Sequence, residues 1–131
     1  MPKAIKKPKS TAQKRKTLKN KADRLYQEVG RLSYDKCLVC GGEYSCLHHF
    51  VLKSQSFTLR YNFSNGIPVC QSCHFSIHQG QNDLIVGQII RIMGMDWFNK
   101  LEEAKKKTTP DTLEHIRGVV EVLQQTVDKS R

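Results

Sequence analysis

The sequence predicts an α+β protein in which a short core rich in cysteine and histidine lies between helices at both ends. Apolar residues recur at three- and four-residue steps before residue 34 and again after residue 80, as they do in amphipathic helices. Residues 36–80 instead hold all five cysteines and four of the five histidines, together with two short apolar stretches flanked by turn residues. At 131 residues, the chain is long enough for one domain with a modest core.

The beginning of the chain is strongly basic. Residues 1–31 hold 11 of the 22 lysines and arginines against two acidic residues, Asp23 and Glu28, and the whole chain has a formal net charge of +10. Residues 1–9 are rich in Lys and Pro and are expected to form a disordered basic arm. Such uneven charge favours a nucleic-acid partner, because Lys and Arg neutralise phosphates and release counterions; a solubilising tail is the alternative.

Residues 10–33 predict a basic amphipathic helix that starts at Ser10 or Thr11 and ends near Gly30. The apolar residues that define its buried face are Leu18, Ala22, Leu25, Val29 and Leu32. The residues of its polar face that we expect to contact DNA are Lys14, Lys16, Lys21 and Arg24.

No apolar run approaches the ~20 residues that a membrane span requires, and no apolar segment follows the basic N-terminus as in a secretory signal. We therefore expect a cytoplasmic protein without a membrane partner. In that reducing compartment, closely spaced cysteines more often bind metal than form disulfides.

Residues 34–80 predict two strands followed by a short helix. The stretches "SCLHHFV" and "GIPVC" are flanked by the turn residues Gly41-Gly42 and Asn65-Gly66, which is typical of strands. The stretch "QSCHFSIHQG" predicts a helix that ends at Gly80.

Residues 81–131 predict further helices. Asp83 is expected to cap "LIVGQIIRIM" and Gly94 to end it, "MDWFNKLEEAKKK" follows, and Pro110 can open a last helix over about 111–127. His115, in that last helix, is expected to be an ordinary surface or interface residue. These apolar helices could complete the core or form a dimer interface, so the oligomeric state stays open.

Two CxxC motifs separated by 29 residues predict a structural zinc site. Their cysteines are Cys37, Cys40, Cys70 and Cys73. Each CxxC turn offers two thiolates to one ion, and two turns complete a tetrahedral shell with no position left for water. Metal binding would add folding free energy that a thin core lacks. The alternatives are chance thiols or a redox CxxC; Cys46 is left over and is expected to be a small buried hydrophobic residue.

Four histidines predict a second metal site. His74 and His78 are four residues apart, so on a helix they share one face and can bind one ion. His48 and His49 are adjacent, so on a strand they point to opposite faces. One of this pair could complete a three-nitrogen site. The other would stay unligated, with the near-neutral pKa that suits a general base.

The order of these motifs resembles the HNH endonucleases, whose ββα-metal core is a hairpin packed on a helix. Four segments within residues 36–80 carry the resemblance: "CLVC", "LHHF", "SNGIPVC" and "CQSCHFSIH". The resemblance implies that His49 is the general base and that Asn65 holds it in position, with Asn62 as the competing asparagine. It also implies three ligands for a single catalytic metal: His48, His74 and His78.

The resemblance implies a metal-dependent DNA endonuclease that hydrolyses phosphodiester bonds and leaves 5′-phosphate and 3′-hydroxyl ends. Three imidazole ligands favour Zn, Mn or Ni over Mg at the catalytic site. Lys53 and Arg60, in the loop between the strands, are expected to hold flanking phosphates, with a solvated loop charge as the alternative for each. The main rival function is a non-catalytic zinc-containing DNA-binding module, which would leave the four histidines without a task.

A second resemblance covers the overall layout of the chain. A Lys-rich helix with "KADRLY", the segments "HHF" and "LRYNFSN" between the CxxC motifs, and a tail with "IIRIMGMDWFNKL" are similar to the phage NinG/Rap recombination nucleases. That resemblance implies duplex or branched DNA as substrate, a role in DNA recombination, and a host-cytoplasmic location if the protein is phage-encoded. That family usually has Asn where this chain has His74, so the metal ligands are closer to those of mainstream HNH enzymes.

Overall fold

The computed structural model describes residues 7–79 and 82–131. Within these residues it contains five α-helices and one two-stranded sheet, which confirms the predicted α+β class. The elements are α1 (Thr11–Ser33), β1 (Cys46–His49), β2 (Gly66–Val69), α2 (Gln71–His78), α3 (Asn82–Met93), α4 (Met95–Lys105) and α5 (Leu113–Ser130). A short 3₁₀ turn, Phe63–Asn65, precedes β2. Most of the predicted arm (residues 1–6) and the predicted end of α2 at Gly80 lie outside the described residues.

The first helix begins after Ser10, one of the two predicted start residues. The Ser10 side chain accepts a hydrogen bond from the Gln13 backbone, and the Gln13 side chain accepts one from the Ser10 backbone, which is a capping box. The helix ends at Ser33, the last residue of the predicted span 10–33 and three residues beyond the predicted end near Gly30. A Cβ atom at Gly30 would lie 2.5 Å from the Leu47 side chain, so this glycine permits close packing on β1 and does not end the helix.

The two strands form an antiparallel hairpin that leads directly into α2. His48 lies opposite Ile67 and His49 opposite Gly66, and every residue of β2 is buried. Cys70 follows β2 and caps α2, because its sulfur accepts a hydrogen bond from the Cys73 backbone (3.3 Å). The hairpin and α2 therefore bring the two histidine pairs of the sequence close together.

The C-terminal helices complete the core of this chain. In the first hydrophobic cluster α5 packs along α1 and reaches Leu47 of β1; its members are Ala22, Tyr26, Leu47, Ile116, Val120 and Leu123. A second cluster joins α3 to β2 and α2, and a third joins α4 to the loop after β1. None of the described helices combines the length and the apolar composition that crossing a membrane requires.

As predicted, Gly94 ends α3, and α4 begins directly after it. Gly94 has φ +94° and separates the two helices, a backbone conformation that glycine adopts without strain. Asp83 does not cap α3, since the helix begins at Asn82 and places Asp83 in its first turn. A carboxylate in the first turn still interacts favourably with the helix dipole.

The last helix begins later than Pro110 and Asp111 predict. Thr112 is its N-cap, and the Thr112 side chain accepts a hydrogen bond from the His115 backbone (3.2 Å). Asp111 lies before the helix and forms a salt bridge with Lys19 of α1 (2.6 Å). The helix also runs three residues past the predicted end at 127.

Candidate metal centres and catalytic residues

Four cysteine sulfurs converge beside the hairpin and the start of α2. The Sγ atoms of Cys37, Cys40, Cys70 and Cys73 all lie within 4.8 Å of one another. The Cys40 and Cys70 sulfurs are 3.6 Å apart. Sulfurs that bind one tetrahedral zinc at ~2.3 Å lie about 3.8 Å from each other, so this cluster could hold one structural metal ion.

Backbone N–H groups prepare this cluster for negatively charged sulfur. The Gly42 N–H donates to Cys40 Sγ (3.4 Å), in a turn where Gly41 has φ +75°. Burial disfavours the Cys37 thiolate, but backbone hydrogen bonds outweigh this effect and lower its pKa to about 7. Burial and the neighbouring thiols raise the pKa of Cys73. The negative charge of one thiolate therefore disfavours ionisation of the next thiol, and a bound divalent cation would offset this repulsion.

Three imidazole rings converge where β1 faces α2. One ligand nitrogen from each of His48, His74 and His78 lies within 4.8 Å of the others. The Nε2 atoms of His74 and His78 are 3.1 Å apart. Two nitrogens that share one ion at ~2.1 Å lie about 3.0–3.4 Å apart at ordinary coordination angles, so the donor set fits a single divalent ion.

The environment of these rings favours the neutral form that binds metal. Burial, reinforced by the neighbouring histidines, lowers the pKa of His48 to about 4. Burial and His78 also lower the pKa of His74. His48 is buried whereas His78 is exposed, so the cluster has one inner ligand and one side open to solvent.

His49 does not join the three-histidine cluster and has a different partner. Its Nε2 atom lies 2.8 Å from the backbone carbonyl oxygen of Arg60. Because a carbonyl oxygen only accepts, Nε2 carries the proton and Nδ1 keeps its lone pair. Burial lowers the pKa of His49, and the positive charge of Lys53 adds to this effect. The ring is therefore neutral at pH 7, with Nδ1 as a proton acceptor.

One cavity of about 330 Å³ is lined by all four histidines of residues 36–80: His48, His49, His74 and His78. The other residues that line it are Gln27, Cys46, Leu47, Leu52 and Lys53. A larger apolar groove of about 610 Å³ lies between residues 61–63 and α5, and it contains none of the four. His115, expected to be a surface residue, is exposed and lines that second groove.

Asn65 is completely buried and fixes the loop that follows β1. Its Oδ1 atom accepts from the Val51 N–H (2.7 Å), and its Nδ2 group donates to the carbonyls of Val51 (2.9 Å) and Leu59 (3.3 Å). Asn65 does not touch His49 in these contacts. It holds both ends of the segment that precedes Arg60, whose carbonyl binds His49.

Asn62, the competing asparagine, has a local task. Its side chain accepts a hydrogen bond from the Ser64 N–H (2.8 Å) and caps the 3₁₀ turn before β2. Its side chain makes no hydrogen bond to the 51–59 loop within the described residues. Of the two asparagines, Asn65 is the better placed to support His49.

The cations expected to contact DNA differ in their surroundings. Those of α1 are all exposed: Lys14, Lys16, Lys21 and Arg24. Lys53 is exposed and lines the histidine cavity. Arg60 is engaged with Asp23 of α1 through two hydrogen bonds of 3.1 and 2.7 Å. This ion pair gives Arg60 a structural task, and its contact with a flanking phosphate stays a prediction.

Cys46 is more than the small buried hydrophobic residue expected from the sequence. It is half-buried, packs against the second hydrophobic cluster and lines the histidine cavity. Its sulfur lies 3.6 Å from Nδ1 of His74. Because that nitrogen is not the one facing His78, the Cys46 contact leaves His74 Nε2 available for metal.

Sequence reasoning missed three residues of α1 that reach the site: Asp23, Tyr26 and Gln27. Asp23 binds Arg60, Tyr26 stacks on the His49 ring, and Gln27 bonds to the backbone of β1. Their spacing of three and four residues places them on one helix face, which is the only sign of a shared task in the sequence.

The two clusters predict two metal ions per chain. We expect the double substitution His74→Ala and His78→Ala to remove one equivalent and leave the ion at the four cysteines. Elemental analysis of desalted, zinc-reconstituted protein measures the ratio, with His115→Ala as the control that keeps both ions. A single equivalent in the unsubstituted protein would argue against the three-histidine site.

No family model, curated protein or solved structure matches this chain in the three comparisons made. The features of this chain that bear on its function are the two clusters, His49 and the charge of α1.

Proposed function

We propose that this protein is a metal-dependent DNA endonuclease of the HNH type. The observation that supports it is one cavity lined both by a three-imidazole cluster and by a fourth, neutral imidazole bonded to a backbone carbonyl. The β1–β2 hairpin followed by α2 is consistent with a ββα-metal core. A purely DNA-binding module has no need for this separation of roles among four histidines.

Two ions would serve different purposes. The four cysteines would hold a structural zinc, and His48, His74 and His78 would hold one divalent ion, with Zn, Mn or Ni favoured over Mg by the nitrogen ligands. When bound, the second ion supplies positive charge that attracts the scissile phosphate and stabilises the leaving oxygen.

His49 would act as the general base. Its Nδ1 atom accepts a proton from a water molecule while the water oxygen bonds to phosphorus and the bond to the 3′ oxygen breaks. The resulting imidazolium carries positive charge, which the Arg60 carbonyl and the nearby Asp23 carboxylate stabilise. Asn65 would keep that carbonyl in place through its hydrogen bonds to the 51–59 loop.

The exposed cations of α1 would bind the DNA backbone. Gln27, one turn after Arg24, lines the histidine cavity, so a DNA strand lying along this part of α1 would reach the histidines. Lys53, at the same cavity, is the second candidate for a flanking phosphate.

Replacing Lys14, Lys16 and Lys21 with glutamine should weaken DNA binding and reduce its salt dependence. Each phosphate contact that is lost lowers the slope of log K against log salt concentration by about 0.9. Fluorescence anisotropy of a labelled duplex at several salt concentrations measures the slope. The control is the same change at Lys105, Lys106 and Lys107, at the end of α4; an unchanged slope in the α1 variant would exclude these contacts.

We propose duplex or branched DNA as the substrate, with recombination as the process. The test compares an end-labelled linear duplex with a four-way junction in Mn, Mg, Ni or Zn and in EDTA. We expect metal-dependent products that carry 5′-phosphate and 3′-hydroxyl ends and that a DNA ligase can rejoin. Faster cutting of the junction supports branched DNA as the target, equal rates support a general nuclease, and intact DNA throughout contradicts both.

A further inference from the structure

The helix that carries the exposed cations is also hydrogen-bonded to the strand that carries His48 and His49. Gln27 of α1 donates from Nε2 to the Leu47 carbonyl (2.9 Å) and accepts at Oε1 from the Leu47 N–H (2.9 Å). This amide side chain thus satisfies both backbone groups of Leu47, as a neighbouring strand would. Because His48 and His49 follow directly, α1 is fixed relative to both.

Tyr26, one residue earlier, lies against the His49 ring. It is 0% exposed, and the two rings stack with centroids 5.0 Å apart and planes inclined by 23°. Its hydroxyl donates to the Asn62 carbonyl (2.9 Å), and burial raises its pKa, so the proton of this bond is retained. A Cβ atom at Gly66, opposite His49, would lie 2.5 Å from the Tyr26 oxygen, so only glycine leaves room for this tyrosine.

Asp23, one turn before Gln27, reaches His49 through Arg60. Its two oxygens bind the guanidinium of Arg60 at 3.1 and 2.7 Å, and both side chains of this pair are largely shielded from solvent. The carbonyl of Arg60 binds Nε2 of His49 at 2.8 Å. Moving this arginine would therefore move the group that selects which ring nitrogen carries the proton.

We infer that Tyr26 and Asp23 are positioning residues for the His49 imidazole. The Tyr26 ring fixes the plane of the imidazole, and the ion pair of Asp23 with Arg60 fixes the carbonyl that holds the proton on Nε2. The catalytic part of this inference rests on the proposed role of His49 as the base; the geometric part does not. The helix that would bind DNA is then also the support of the residue that would activate water.

The activity test uses Asp23→Asn and Tyr26→Leu. We expect kcat to fall by as much as about 100-fold with little change in KM, because a displaced general base costs rate and not substrate binding. Tyr26→Phe keeps the stacked ring and should restore most of kcat. The matched controls are Asp111→Asn, which removes another salt bridge to α1, and Tyr44→Leu, which removes a tyrosine packed on the same cluster without touching His49.

A double-substitution cycle separates positioning from general loss of structure. If Tyr26 and Asp23 act through His49, neither substitution should lower the residual rate further once His49 is alanine. A merely structural role would lower it by the same factor in both backgrounds. Thermal unfolding of each variant identifies any that fails to fold, and in that case Asp23→Asn, a change of equal size at a half-buried position, decides alone.

A second readout does not depend on cleavage. The ring ¹⁵N shifts of His49 in the zinc-loaded protein, recorded at pH 8, report which nitrogen carries the proton. We expect an Nε2–H ring in the unsubstituted protein and a mixture of the two neutral forms in Asp23→Asn and Tyr26→Leu. Unchanged shifts in the folded variants overturn the inference whatever the cleavage result. Absence of cleavage by the unsubstituted protein overturns the proposed function. The ring shifts alone then decide whether Tyr26 and Asp23 position the His49 ring.

Discussion

Replacing His49 with alanine should lower the rate of DNA cleavage by about 10²- to 10⁴-fold, the usual contribution of a general base. The neutral form of the His49 ring predominates at pH 7 because burial lowers its pKa. Its Nε2 is bonded to the Arg60 carbonyl and Nδ1 is left as acceptor, and the ring is not part of the three-histidine cluster. The variant should therefore keep both metal ions and its affinity for DNA. Single-turnover cleavage of a labelled duplex, with metal content measured on the same sample, gives the result.

The control for this prediction is His115→Ala, since His115 is exposed on α5 and lies outside the histidine cavity. His48→Ala should behave differently from both, because it removes a ligand and with it one equivalent of metal. Cleavage at the original rate by the His49 variant would show that another group activates the water.

Replacing Cys40 with serine should unfold the hairpin core. A two-stranded sheet is only marginally stable alone, and structural zinc contributes about 10–16 kcal/mol in small zinc-binding domains. The loss of one thiolate from the four-cysteine cluster removes much of that free energy. We expect a loss of zinc and of the cooperative unfolding transition, measured by elemental analysis and by circular dichroism during heating.

Cys46→Ser is the matched control, because Cys46 is half-buried on β1 and lies outside the four-cysteine cluster. It should retain zinc and unfold cooperatively. A folded, soluble Cys40→Ser variant with its full complement of zinc would contradict a structural four-cysteine site.

The close pairs within the two clusters were predictable from sequence because their spacing is a local property. A CxxC turn brings two sulfurs together whatever surrounds it, and residues four apart on a helix share a face. Either His48 or His49 could join His74 and His78. The choice depends on which face of β1 lies toward α2, and residue spacing does not determine this. The structure brings His48 to that cluster and His49 to a backbone carbonyl.

The supporting contacts were not predictable because they join residues far apart in the sequence. In the sequence, Arg60 has the charge and loop position expected of a residue that binds phosphate. Only the position of Asp23, 37 residues earlier, shows that it is paired. Gly30 is a residue type that is common at helix ends, and only the close approach of the Leu47 side chain shows that it permits close packing. Tyr26 fits the apolar pattern of α1 and gives no sign in the sequence that its ring meets His49.

We propose that this chain cuts DNA with a metal ion at its histidine cluster and with His49 as the base. Incubation of supercoiled plasmid with the purified, manganese-loaded protein tests it most directly, beside the His49→Ala variant prepared in the same way. We expect nicked or linear plasmid that increases with protein concentration, disappears in EDTA and is absent with the variant. Plasmid that is retarded in a gel yet remains supercoiled would contradict it and would identify a DNA-binding protein without nuclease activity.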